Sequence, residues 1–157
     1  MTDAYLDGVM AVYQGEVLGE SMFSGLLATA APEHRHYFAA MLQMETEAKA
    51  MLRPLLMRHG LSIVESEVSR QEGYGHAARL GALPWPDFLR VFTDEILVYV
   101  GRYQGFADQA PPEDRAAMQA MVDHEKSFVR FAEAEQGGKP ADALAALMGQ
   151  LVVKLPV

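Results

Sequence analysis

Residues 32–60 read PEHRHYFAAMLQMETEAKAMLRPLLMRHG, and this stretch decides the fold. Pro32 is a favoured first helical residue, because the amide hydrogen that it lacks would have no partner there. The stretch closes on basic side chains followed by Gly60, a residue that readily adopts the left-handed helix cap. Between these ends the pattern is helical, so it predicts one long helix with a kink at Pro54.

Apolar residues recur at spacings of three and four along three further long segments and one shorter one, as expected for helices with one buried face. The stretch quoted above is the second of the four long helices. The other predicted helices run from about Asp3 to Ala28 with Thr2 as N-cap, from Pro86 to just before Pro111, from Pro112 to Gly137, and from Ala141 to about Lys154.

A connection of some 25 residues, 61–85, separates the second and third long helices, whereas the other long helices are joined by a few residues each. Short connections produce antiparallel neighbours, and a long one can cross the length of a bundle. Ser62 and Glu65 resemble a capping box, so a short helix interrupted by three glycines is expected within the crossover. The sequence predicts one all-α domain over residues 1–157, with five helices and no strand.

Composition narrows the class of protein. The formal net charge of −8 argues against a nucleic-acid backbone as partner. No apolar run approaches the roughly 20 residues that a membrane span needs, and acidic residues interrupt any secretory leader. There is no cysteine and hence no disulfide or thiolate metal site. We expect a cytoplasmic protein without membrane or nucleic-acid partners, and a homodimer through an apolar helix face.

Each of the four long helices carries one glutamate with apolar residues three and four positions away, namely Glu16, Glu45, Glu95 and Glu125. Burying an ionised carboxylate costs several kcal/mol even after the protein relaxes around it. A cluster of them is tolerated only if the carboxylates share protons, meet basic side chains or hold a metal ion. We therefore expect these glutamates to converge inside the bundle.

Three of the four positions have competing interpretations. A second charged side chain lies no more than two helical turns away in each case, and the pairs are Glu16 with Glu20, Glu45 with Glu47 or Lys49, and Glu95 with Arg102. A neighbouring acid can replace the inward one, and a neighbouring base forms a surface ion pair that stabilises a helix by only a few tenths of a kcal/mol, roughly. The pattern alone leaves these alternatives open.

The four long helices and the single long crossover resemble the ferritin-like superfamily of di-iron carboxylate proteins. The segments that carry the resemblance are Tyr13-Gln-Gly-Glu16, Met44-Glu45-Thr46-Glu47-Ala48, Asp94-Glu95-Ile96 and His124-Glu125. It implies a ferritin-like four-helix bundle whose metal ligands are Glu16, Glu45, Glu95, Glu125 and His124. It also implies iron or manganese as cofactor, dioxygen or peroxide activation or oxidation of ferrous iron, and Tyr13 or Tyr99 as nearby hydrogen-bond donors.

The chain departs from the family pattern at two helices. The family's second-helix histidine falls at Ala48, and its fourth-helix histidine falls at Phe128. If His124 takes the fourth-helix role, the matching glutamate falls at Met121. This loss of ligands favours a metal-free or weakly metal-binding interaction or ligand-binding protein, with the di-metal oxidoreductase as the alternative.

Two other residue types receive a plainer interpretation. The remaining histidines, His34, His36, His59 and His76, are expected in solvent at helix ends or in the crossover. The ten methionines are expected mainly as adaptable core residues. Those on the second and fourth long helices are also placed to line a cavity for a small apolar ligand.

Overall fold

The computed structural model describes residues 2–156, and every regular element in this range is helical, which confirms the all-α expectation. The elements are α1 (Asp3–Thr29), a 3-10 turn (Pro32–His34), α2 (Arg35–Arg58), α3 (Glu67–Gly81), α4 (Trp85–Asp108), α5 (Arg115–Gln136) and α6 (Pro140–Met148). Within the described range, none of these helices has both the length and the apolarity to cross a membrane.

The helix count differs from the five expected, because the crossover contains a full helix. The side chain of Ser66, not that of Ser62, caps α3 by accepting a hydrogen bond from Ser69 N at 3.2 Å. Two of the glycines expected to interrupt this segment lie inside the helix. The last helix also ends earlier than expected, at Met148, and α2 continues through Pro54.

The helix directions follow from contacts between distant residues. On α1 and α4, Phe23 packs against Phe92 while Glu16 contacts Tyr103, so the two helices are antiparallel. The short connection after α1 makes α2 antiparallel to α1 as well. Helices α2 and α4 therefore run in the same direction, and the crossover between them returns along the length of the molecule.

The crossover helix α3 lies parallel to α1 at very short range. A Cβ atom on Gly73 would overlap the main-chain oxygen of Leu18, and one on Gly25 would lie 2.7 Å from Ala77 Cβ. Only glycine permits the first approach, since any side chain there would push the helices apart. The glycine that the sequence suggests as a helix breaker is thus a packing residue.

Two apolar clusters fill the interior, one toward each end of the four long helices. The first is rich in aromatic side chains and includes Phe23, Phe38, Phe88, Phe92, Phe128 and Phe131. The second is mainly aliphatic and includes Val9, Val12, Leu52, Leu56, Met118 and Val122. Each fully buried side chain of this size stabilises the fold by ~1.5–3 kcal/mol relative to exposure. The junction between the clusters lies at mid-height, where the inward glutamates are found.

A buried aspartate joins three helix ends at the aliphatic end of the molecule. Asp114 Oδ2 accepts a hydrogen bond from Tyr5 OH at 2.9 Å and lies 2.6 Å from His59 Nε2, while Arg58 pairs with Oδ1. Burial alone would raise the pKa of Asp114, but these partners outweigh it and lower the pKa. The expectation that His59 is solvated is wrong, because its ring contacts the buried Asp114 and its side chain is only 8% exposed.

Candidate metal centre

Four ionisable side chains converge at the junction of the two apolar clusters. Glu16 comes from α1, Glu45 from α2, and His124 and Glu125 from α5. Each offers one ligand atom, and all four atoms lie within 4.8 Å of one another. Their exposed fractions are 1%, 2%, 6% and 5%, so the group is shielded from water.

The local sequence forces these side chains inward. On α5, Met121, Val122 and Phe128 surround Glu125 at helical spacing, and each is exposed by no more than 1%. A residue in the middle of such a stripe cannot turn outward without exposing its neighbours. The burial of the carboxylate thus follows from the apolar side chains around it.

The hydrogen bonds of the cluster leave one oxygen without a donor. His124 Nε2 lies 2.9 Å from Glu45 Oε1 and 3.1 Å from Glu16 Oε2. A ring nitrogen carries one hydrogen, so these two oxygens compete for it, and Glu16 Oε2 has no other donor within residues 2–156. The other oxygen, Glu16 Oε1, accepts a bond of 3.2 Å from Tyr103 OH.

Burial and mutual repulsion shift the protonation of the cluster. Burial raises the pKa of Glu125 to about 8, and the nearby Glu16 carboxylate adds to the shift. The pKa of Glu45 is raised well above its ordinary value for the same two reasons. Burial would lower the pKa of His124, but the facing carboxylates of Glu16 and Glu45 outweigh it and raise this pKa.

No lysine or arginine within residues 2–156 forms an ion pair with the three carboxylates. Fully ionised, three carboxylates and one imidazolium carry a net charge of −2. Buried charge of this size must be balanced by protons or by a cation. The site therefore has both the donor atoms and the electrostatic demand for a divalent ion.

The backbone of α1 leaves space for one of the carboxylates. A Cβ atom on Gly19 would overlap Glu45 Oε2 and lie 2.7 Å from Glu45 Cδ. Beside this notch is a cavity of about 30 Å³, lined among others by Gly15, Tyr99 and Glu125. A cavity needs at least ~10–15 Å³ to hold a water molecule, so a diatomic or water-sized ligand fits there.

A larger cavity lies beside the cluster, between α2 and α5. It measures about 180 Å³, and its walls include Met44, Met51, Met121 and His124. The methionines of α2 and α5 thus line an apolar space next to His124, which is a candidate metal ligand. Such flexible thioether walls adapt to small apolar molecules.

Glu95 is a correction to the sequence interpretation. Its side chain is 38% exposed, lies outside the cluster and pairs at 2.8 Å with Arg79 of α3, not with Arg102. The apolar neighbours misled the assignment because Val98 is itself 60% exposed on the outer face of α4. The bundle-facing side of α4 carries aromatic residues at this level, and none of its carboxylates reaches the centre.

The competing acidic residues have other partners. Glu20 pairs with Lys49 at 2.9 Å, and the buried Lys49 also pairs with Glu65 in the crossover. Glu47 accepts hydrogen bonds of 2.8 Å from the main-chain nitrogens of Val152 and Val153. The inward residues of these two helices are therefore Glu16 and Glu45, and Lys49 pairs with Glu20 and Glu65 in place of Glu45.

A tyrosine that the sequence analysis overlooked contacts the cluster. Tyr103 of α4 is fully buried, and burial together with the charge of Glu16 raises its pKa well above the ordinary value. Tyr13, expected in this role, instead donates to Ile63 O at 2.8 Å and holds the crossover. The signal was available, since Phe92, Ile96 and Tyr103 follow one helical face that excludes Glu95.

Comparison of the chain with protein-family models, with curated proteins and with solved structures finds no match. The chemistry of the centre therefore has to be inferred from its own residues. Three carboxylates and one imidazole, an oxygen without a donor and a notch in α1 fit one divalent cation with mixed oxygen and nitrogen ligands.

Proposed function

We propose that this protein is a ferritin-like bundle that binds one divalent transition-metal ion, iron or manganese, through Glu16, Glu45, His124 and Glu125. The observation that carries the proposal is a set of three buried carboxylates that no lysine or arginine contacts within residues 2–156. Glu16 and Glu45 share one basic partner, His124, and Glu16 Oε2 has no other donor. A cation bound between these groups removes both the unpaired oxygen and the charge repulsion.

The directions of the long helices support the ferritin-like part of the proposal. Helices α2 and α4 run the same way and are linked by one crossover of the full length, as in that superfamily. A di-metal site of the family draws ligands from all four helices. Here α4 supplies a tyrosine and no carboxylate, so the donor set suits one ion better than two.

Bound iron or manganese would supply redox chemistry with dioxygen or a peroxide. The residues of the chain orient the ligands and exclude water. Tyr103 fixes the Glu16 carboxylate, and the apolar clusters on both sides exclude water. The small cavity at Gly15 and Glu125 limits what can reach the centre from that side to a molecule of water or dioxygen size.

A metal-free interaction or ligand-binding protein is the second candidate, and the raised pKa values of Glu45 and Glu125 favour it. With both carboxyl groups protonated, the pair of Glu16 with protonated His124 is electrically neutral. The centre would then be a buried polar network. Its neighbouring methionine-lined cavity of about 180 Å³ would bind a small apolar ligand.

Metal analysis separates the two candidates. We expect protein purified without chelators to carry about one iron or manganese ion per chain. Free ion at 100-fold excess over Kd adds ~2.7 kcal/mol to the free energy of unfolding, which raises Tm by about 5–10 °C for a domain of this size.

A matched pair of variants tests the location. Glu125→Gln should lose both the ion and the rise in Tm, because an amide is a poor ligand. Glu95→Gln changes the same residue type outside the cluster and should keep both. Wild-type protein with no ion and no Tm response to iron or manganese would support the metal-free candidate.

A further inference from the structure

A third cavity, of about 370 Å³, lies where α1 and α3 end and α4 begins. Its volume falls in the range of small-molecule sites, roughly 300–1,000 Å³. None of the four residues of the candidate metal centre lines it. The large side chains of its walls are Leu26, Phe38, Leu80, Leu83, Trp85 and Phe88.

Two helix C-termini meet at this cavity. Helix α1 ends at Thr29 and the parallel helix α3 ends at Gly81, and both residues line the cavity. They are close neighbours, since a Cβ atom on Gly81 would lie 3.6 Å from Thr29 Oγ1. The last carbonyl groups of a helix lack intrahelical donors and carry the negative end of the helix dipole. The negative ends of the α1 and α3 dipoles therefore both lie at this cavity.

Neither of these two helix ends has an unpaired lysine or arginine in its last turn. The last turn of α1 contains no basic residue. The last turn of α3 contains Arg79, but its guanidinium pairs with Glu95 at 2.8 Å and contacts His76. The positive end of α4, which also borders the cavity, already has Asp87 in its first turn. No lysine or arginine is among the residues that line the cavity, and His34 is the one ionisable side chain in its wall.

Aromatic side chains form one wall of the cavity. The ring of Trp85 stacks with that of His34 at 3.6 Å and with that of Phe88 at 5.0 Å between ring centres. Phe38 meets Trp85 edge to face at 6.2 Å. Aromatic faces attract cations, and they also pack well against apolar rings.

We propose that this cavity binds a small organic cation, an ammonium group carried on an apolar or aromatic body. The ammonium group lies at the negative ends of the α1 and α3 dipoles, beside Thr29 and Gly81. The body packs against Trp85, Phe38 and Phe88. The net charge of −8 favours the approach of a cation over that of an anion. This site is independent of the proposed metal centre.

The fluorescence of Trp85 tests the proposal, because Trp85 is the only tryptophan of the chain and lines the cavity. The probe is phenethylammonium, and 3-phenylpropanoate is the anionic compound of similar size. We expect a saturable change in emission with the cation and at least tenfold weaker binding of the anion. No saturable change, or equal binding of the two compounds, would overturn the proposal.

Two glycines of α3 provide a matched pair of variants. Gly81→Leu places a side chain in the cavity, whereas Gly75→Leu places the same side chain in open space on the same helix. We expect Gly81→Leu to weaken binding at least tenfold and Gly75→Leu to leave it unchanged. Equal affinities in the two variants would show that the probe binds elsewhere.

A second cavity-filling variant guards against misfolding. Ala31 is exposed and lines the cavity, so Ala31→Leu reduces its volume without touching the core, and it should weaken binding as well. If Gly81→Leu loses its helical circular dichroism, Ala31→Leu decides the outcome. All titrations are made with a metal chelator present, so failure of the metal proposal leaves this result unchanged.

Discussion

Gly19 of α1 provides the notch into which the carboxylate of Glu45 extends from α2. The fit is so close that a Cβ atom on Gly19 would overlap Glu45 Oε2. A glycine in the middle of a 27-residue helix lowers helix stability by ~0.5–1 kcal/mol relative to alanine, so its presence needs a compensating reason. The reason that the structure offers is space for a buried carboxylate.

The first prediction concerns this notch. Gly19→Ala should displace the Glu45 carboxylate and weaken Mn²⁺ binding at least tenfold, because the ligand atom loses its position. Overpacking should also lower the free energy of unfolding by about 1–3 kcal/mol. Isothermal titration and urea unfolding measure the two effects.

Gly101→Ala is the control for this prediction, because Gly101 lies on α4 with no atom near its would-be Cβ. It should leave Mn²⁺ binding unchanged and raise stability by up to ~1 kcal/mol through helix propensity. If Gly19→Ala behaves in the same way, the notch has no role in the site.

The second prediction concerns pH in the metal-free protein. The folded state holds the proton of Glu125 up to about pH 8, whereas the unfolded chain releases it near its ordinary pKa. A raised folded pKa stabilises the fold fully at low pH, and this stabilisation is lost as the pH rises through the folded value. We expect the chelated wild-type protein to lose stability between pH 5 and 8, roughly, and Glu125→Gln to lose less.

Chemical denaturation at several pH values, with chelator present, measures this difference. Glu95→Gln is the control and should follow the wild-type curve, because its carboxylate is partly exposed and lies outside the cluster. Parallel curves for the wild type and Glu125→Gln would mean that Glu125 is ionised in the folded metal-free protein.

The third prediction concerns Asp114, which joins the start of α1, the end of α2 and the start of α5. Asp114→Asn should lower the free energy of unfolding by about 3 kcal/mol, because the buried side chains of Tyr5 and His59 and the half-exposed Arg58 lose the carboxylate that they contact. Its lowered pKa gives stability above the ordinary carboxyl pKa that is lost as the pH falls through the folded value. The variant should therefore be less acid-sensitive than the wild type.

Thermal melting between pH 2 and 7, roughly, follows this loss. Asp123→Asn, on the exposed face of the same helix α5, is the matched control and should change stability by no more than ~0.5 kcal/mol. Equal effects of the two substitutions would show that the three-way contact contributes nothing specific.

The fourth prediction separates two buried tyrosines. Tyr103→Phe removes the hydroxyl that donates to Glu16 Oε1, and it should weaken Mn²⁺ binding severalfold because the ligand loses its orienting partner. Tyr13→Phe removes the bond to Ile63 O and should leave Mn²⁺ affinity unchanged. Each change should cost ~1 kcal/mol of stability, measured by denaturation. If Tyr13→Phe weakens Mn²⁺ binding more than Tyr103→Phe does, Tyr13 and not Tyr103 is the tyrosine that supports the metal ligands.

Sequence periodicity predicted the four long helices, and it indicated one inward glutamate without an alternative, Glu125. For Glu16 and Glu45 the pattern left a neighbouring charged residue open. Glu125 lies among buried apolar side chains at helical spacing, and a helix face of this kind packs against the core. At Glu95 the helical pattern predicts burial where the side chain is 38% exposed. Its apolar neighbours include exposed residues on the outer side of α4, and a single sequence does not tell an exposed valine from a buried one.

The crossover was the other point at which the sequence was insufficient. Glycine usually interrupts helices, so Gly73 and Gly75 argued for a broken segment. In the structure Gly73 allows α3 to approach α1 at a distance that no other residue permits. Long-range packing of this kind overrides local propensity and leaves no trace in the local pattern. The same holds for His59, which Asp114 binds from 55 positions away.

The donor set of the centre is divided between two helical hairpins. Glu16 and Glu45 belong to the hairpin of α1 and α2, and His124 and Glu125 belong to the hairpin of α4 and α5. The contact from His124 to Glu45 spans 79 positions, so during folding it forms only when the two halves dock. An ion held there would have to be released before the two hairpins separate, and it would therefore lower the rate of unfolding.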